Sequence, residues 1–136
     1  MNIKRWVLAS LAVFLVFEIL DSIVHMVFLS GVYQNPAIVT LWRVEMMSLM
    51  WLMYVSALVM SFVFVYIFVK GYEGKGMMEG VRFGLIFGLI MAFVAIVNQY
   101  VVYPIPLSLA VQWFIFGMIE FVCVGIVAAL IYKPKA

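Results

Sequence analysis

Cysteine, histidine and charge are all scarce in this chain of 136 residues. The single cysteine, Cys123, excludes an intramolecular disulfide and any Cys-rich metal centre. The single histidine, His25, excludes bis-histidine haem ligation, and nothing favours a His/Met pair. Charged residues make up only 10%, and the net charge of +2 is too small and scattered for nucleic-acid binding. Gly71, Gly74 and Gly76 follow no strand and precede no P-loop lysine, so no nucleotide fingerprint is present. No Ser/His/Asp or Cys/His constellation can be assembled, because Cys123 falls far from His25. The chain therefore does not read as an enzyme.

Apolar residues are abundant, at 69%, with a mean hydropathy of +1.26. Such a composition excludes a soluble globular domain, a disordered chain and a disulfide scaffold. It identifies an integral membrane protein whose first partner is the lipid bilayer. Four apolar segments, about 6–30, 43–69, 80–103 and 107–132, each exceed the ~20 residues that cross a hydrocarbon core as a helix. Helix is required because lipid offers no partners to backbone N–H and C=O groups. The connections are short: Asn35-Pro36 marks a turn, 70–79 is Gly-rich and charged, and Tyr103-Pro104-Ile105-Pro106 is a tight reversal. Short connections make sequential helices antiparallel neighbours. The expected fold is all-α, one 1–136 domain forming an up-down four-helix transmembrane bundle.

Seven of the eight basic residues (Lys4, Arg5, Lys70, Lys75, Arg82, Lys133 and Lys135) share one side, with Arg43 alone on the other. The positive-inside rule then places both termini in the cytoplasm. Trp6, Tyr72 and Tyr132 on one side, and Tyr33, Trp42 and Tyr103 on the other, fit interfacial belts. Lys4-Arg5 before an apolar run resembles the start of a signal peptide, but Glu18 follows where a small-residue cleavage site would be expected. The segment is expected to remain as the first helix.

Glu18, Asp21, Ser22 and His25 recur at i, i+3, i+4 and i+7 of that helix, within an arc of about 100°. A charge at a helix centre in lipid costs ~2.5–3.5 kcal/mol, which makes intramembrane ionisable groups functional candidates. Asp21 and His25, four residues apart, can pair. The fourth helix adds Glu120 and Gln112, the third Asn98 and Gln99, and the second Glu45 at its outer end. Together these residues outline a polar pocket open to the outside, with Glu18 and Glu120 as its floor, for a small ligand, a cation or a proton. If a metal binds, Glu18, Asp21, His25 and Glu120 are its candidate ligands; zinc fits that mixed set, whereas a di-iron centre would need a second Glu-x-x-His helix. The alternative is that these groups are interhelical hydrogen bonds only, in a structural or accessory subunit. Met46, Met50, Met53 and Met60 form a stripe better explained by packing than by copper(I).

Gly80, Gly84 and Gly88, continued by Ala92 and Ala95, make a repeated small-xxx-small face, with Gly117, Gly125 and Ala129 as a weaker counterpart on the fourth helix. Whether this face packs internally or builds a homo-oligomer or larger membrane complex is not fixed by spacing. The Glu18-x-x-Asp21-x-x-x-His25, Arg82-Phe83-Gly84 and Tyr103-Pro104 motifs, with Gln112-Trp113 ahead of Glu120, resemble those of small four-helix bacterial membrane proteins of unknown function. That resemblance implies the fold and a bacterial inner membrane, and it brings no activity.

The charge distribution makes a first prediction. A reporter fused at Ala136 reads cytoplasmic, and a cysteine placed at Gln34 is labelled by an impermeant reagent added outside intact cells. Labelling only after lysis would reverse the orientation.

Overall fold

A computed structural model describes residues 1–133; Lys135, counted above among the basic residues, and Ala136 lie outside the described residues. The elements are α1 (Ile3–Ile23), a π-helical turn (Val24–Phe28), α2 (Ser30–Tyr33), α3 (Pro36–Val39), α4 (Met46–Lys70), α5 (Met77–Val102) and α6 (Leu107–Ile131). Four spans are long and apolar enough to cross a bilayer: Ile3–Phe28, Met46–Lys70, Met77–Val102 and Leu107–Ile131. The protein is an all-α polytopic bundle.

Local chemistry sets the helix ends. Asn2 caps α1 by accepting from the Arg5 N–H at 3.1 Å, so the first span starts earlier than hydropathy alone suggests. Arg43, Val44 and Glu45 stay outside α4. Before α5, Gly74 and Gly76 take φ of +76° and +72°, conformations that glycine adopts without strain. The carboxylate of Glu79 folds back to accept the N–H groups of Glu73 (2.6 Å) and Lys75 (2.8 Å), which draws residues 77–79 into the helix. Glu79 is only 4% exposed. In the same loop the exposed Glu73 bonds Lys75 and Arg82, and these donors hold its carboxyl below the usual carboxylate range.

α1 lies between α4 and α6, and α5 lies along α6. The Asn2 N–H reaches the Tyr132 hydroxyl at 3.3 Å at one end, and Tyr33 meets Trp113 at the other, so α1 and α6 run antiparallel. α4 meets α5 through phenylalanine rings: Phe64 sits 4.8 Å from Phe83 and 4.9 Å from Phe87, centroid to centroid. Trp6 is not a free belt residue; it packs on Phe62 and donates to the Phe62 carbonyl at 3.3 Å. Tyr132, expected at an interface, is buried in the core against Tyr72. Ser10 and Ser61, both fully buried, donate to Trp6 O and Ala57 O of their own helices, so neither leaves a hydroxyl unpaired.

The closest helix contact is α5 on α6. Gly80 lies against Gly125 and Ala129, Gly84 against Phe121 and Val122, and Gly88 against Phe121. A Cβ on Gly80 would sit 2.8 Å from the Ala129 Cβ, and one on Gly88 2.9 Å from the Phe121 Cβ. The small-residue face is thus turned inward, onto α6. The opposite half of the bundle is looser. From Met46 to Ser56 only Leu49 and Met50 are partly covered, and from Phe93 to Val102 only Ile96.

Gly84→Leu therefore destabilises the fold by about 1–3 kcal/mol or more, as overpacking does. Gly31→Leu, with open space around it, serves as a near-neutral control. Equal thermal stability of the two variants in detergent would show that α5 does not depend on this contact.

Candidate functional site: a capped polar cluster

At Val24 the first span changes from α to π pairing, the Leu29 N–H reaching the Val24 carbonyl at 2.9 Å. Such turns insert one residue and re-aim the side chains around them. The chain then folds back as α2 and α3, with Asn35 capping Ala37 at 3.0 Å and Pro36 at the first helical position. Val24, Leu29, Ile38 and Leu109 form a small core beneath this cap, flanked by Tyr33, Trp42 and Trp113.

Within the cap a hydrogen-bonded chain joins α1, the π-helical turn, α2 and α6. Asp21 Oδ1 lies 3.3 Å from His25 Nε2. His25 Nδ1 lies 2.5 Å from the Tyr33 hydroxyl, with the two rings stacked at 5.6 Å. Trp113 Nε1 donates to the same hydroxyl at 2.7 Å. Donor accounting assigns the protons. A carboxylate only accepts, so neutral His25 carries its hydrogen on Nε2 and donates to Asp21. Nδ1 is then an acceptor, and Tyr33 donates to it while accepting from Trp113. Burial pushes the Tyr33 phenol up to about 12; the Trp113 N–H opposes this and the Asp21 charge adds to it. Trp42 closes the cage, 5.6 Å from the Tyr33 ring and edge-on to it.

Glu120 projects from α6 beside this chain. It is 6% exposed, and Asp21 and His25 are the ionisable groups within electrostatic reach of it. It makes no hydrogen bond among the described residues. The Gln112 Oε1, also on α6, is buried without a partner among the described residues.

The polar side chains expected around one outward pocket divide among three places. Asp21 and His25 pair at the cap, and Glu120, on the same helix as Gln112, lies deeper in the bundle, within electrostatic reach of both. Glu18 and Ser22 turn away, into an open groove of about 490 Å³ between α1 and α4. Glu45, Asn98 and Gln99 are exposed and join neither group. The division follows from the width of the stripe: Asp21 and Ser22 are consecutive, about 100° apart, so one edge faces α6 and the other faces α4. Phe17 and Phe121 pack at 5.9 Å, which puts their neighbours Glu18 and Glu120 at one level, but no hydrogen bond joins those two acids. The proposed ligand set of Glu18, Asp21, His25 and Glu120 does not close around one point: among the described residues no three His, Cys, Asp or Glu side chains converge.

Tyr33, Trp42 and Trp113 complete the cluster and are not foreseeable as site residues from spacing. Tyr33 reads as a belt aromatic until the loop folds back, and its partner Trp113 is 80 positions away.

Tyr33→Phe leaves both His25 Nδ1 and the Trp113 N–H without a partner, at a cost of about 1–3 kcal/mol. The pH dependence has a definite sign. A phenol whose folded value lies near 12, above its ordinary 10.0, contributes stability that is complete below pH 10 and lost as pH rises through that window. Alkaline unfolding monitored by phenolate absorbance checks this, and Tyr33→Phe removes that component. No protein-family model, curated protein or solved structure significantly matches this chain.

Proposed function

We propose that this is a proton-binding membrane protein whose Asp21–His25–Tyr33–Trp113 chain and Glu120 form an outward-facing protonation site. The observation that carries the reading is Glu120, buried and free of hydrogen bonds among the described residues, within electrostatic reach of a histidine already bonded on both nitrogens. Among side chains with ordinary pKa values, imidazole alone changes charge between pH 5 and 8. A proton arriving at Nδ1 makes Tyr33 turn its own hydrogen away. The imidazolium then donates to both Asp21 and Tyr33, with Glu120 as a second nearby acid. The titratable groups facing His25 are Asp21 on α1, Tyr33 on α2 and Glu120 on α6. A proton needs one acceptor, whereas a metal ion needs several convergent ligands.

Orientation belongs to the same reading. Lys4, Arg5, Lys70, Lys75, Arg82 and Lys133 gather at the end holding the N terminus, and Arg43 lies at the other. This bias supports cytoplasmic termini in a bacterial inner membrane, with the capped cluster facing out. The second reading, a structural or accessory subunit, is favoured by one feature: the same hydrogen bonds pin α2 onto α1 and α6.

Thermal unfolding of wild type, His25→Gln and Glu120→Gln between pH 5 and 8 separates the two. A protonation site gives a melting temperature that changes with pH in the wild type and flattens in His25→Gln. A structural role gives curves displaced by the same amount at every pH, which would overturn the proposal.

A further inference from the structure

Glu18 is left over by the cluster. It lies about 4 Å past the midpoint of the Ile3–Phe28 span, at ~1.5 Å rise per residue. It makes no hydrogen bond or ion pair among the described residues, and it is half-buried. Its groove of about 490 Å³ is open along one side. Phe14, Leu15 and Ile19 of α1 and Tyr54 of α4 make its walls; Ser22 adds the one other polar side chain from α1. The groove opens sideways from the bundle, toward lipid.

We propose that this groove binds an amphipathic organic cation drawn from the bilayer, with Glu18 as its counter-ion. The charge complementarity is specific. An unpaired carboxylate in an apolar wall at mid-span is costly, and a cation that brings its own apolar body removes that cost without needing water. A compact, strongly hydrated ion offers no such body. The headgroup amine of a phospholipid stays at the interface, away from this depth. The rings of Phe14 and Tyr54 supply faces on which a cation is further stabilised. The site is separate from the His25 cluster and does not rest on it.

Equilibrium dialysis of the purified full chain in nanodiscs against radiolabelled tetraphenylphosphonium tests the assignment. Tetraphenylborate, of the same shape and opposite charge, is the control. Wild type binds the phosphonium saturably, Glu18→Gln binds at least about tenfold more weakly, and the borate is not held saturably. Ile19→Trp, which fills the groove and keeps the acid, also weakens binding, so the test survives a misfolded Glu18→Gln. Equal binding by wild type and both groove variants overturns the site. So does the absence of saturable binding together with disulfide capture of two copies through Ile19→Cys in a Cys123→Ala background, which would assign the groove to a second copy.

Discussion

Hydrocarbon accepts no hydrogen bonds, so each polar group within the spans finds a partner in the chain or stays unpaired at a cost. The interior of this bundle is organised by that constraint. Ser10 and Ser61 return their hydroxyls to their own helices. Trp6 gives its indole N–H to a carbonyl of α4, which also fixes α4 against α1. Glu79 satisfies two loop amides and sets the start of α5. After these, two acids of the spans have no hydrogen-bond partner among the described residues, Glu120 on α6 and Glu18 on α1, and the Gln112 Oε1 is buried without one. Acids are the groups whose unpaired burial is hardest to explain by packing alone.

Because lipid tails are as apolar as leucine, burial does not press these helices together; shape does. α5 and α6 approach closely because glycine meets glycine at Gly80 and Gly125. α4 has no such face toward α5 and meets it through Phe64 and Phe68, whose rings fill the gap against Phe83 and Phe87. Those rings stop below Ser61. Beyond them the far halves of α4 and α5 are mostly uncovered, and the cap rests on α1 and α6 instead. The tight half holds the bundle together, and the loose half is where the polar groups lie.

The spans are legible in the sequence because hydropathy over 20 or more residues is a strong signal, and their ends differ by a few residues, at Asn2, Glu79, the π turn and the start of α4. The four-residue spacing of glycines was legible too, but not the partner that fills their gaps, since spacing is silent on which helix arrives. The polar stripe of α1 is visible as a stripe, and from the sequence its arc of about 100° reads as one face. In a helix touched on two sides, that width is enough to straddle both contacts, so Glu18 and Ser22 part from Asp21 and His25. Tyr33 and Trp113 were hidden for another reason. Their meeting depends on a twelve-residue connection folding into α2 and α3, and tertiary closure of that kind leaves no local periodicity.

The division of the stripe has an energetic consequence. Glu18 and Asp21 sit one turn apart, at ~5–6 Å between Cβ atoms, yet one faces a lipid-side groove and the other an imidazole. Two unit charges at about 6 Å and an effective dielectric near 20 would interact by roughly 3 kcal/mol, an upper figure for carboxylates that face apart. On the two proposals above, a cation neutralising Glu18 would change the field at Asp21 by up to the size of a typical allosteric coupling of ~1–3 kcal/mol. Linkage would make the effect reciprocal: a proton at His25 would act on the cation as strongly as the cation on the proton. Both carry positive charge, so each would disfavour the other. The helix that separates the two sites by facing them in different directions is also what holds them within electrostatic reach.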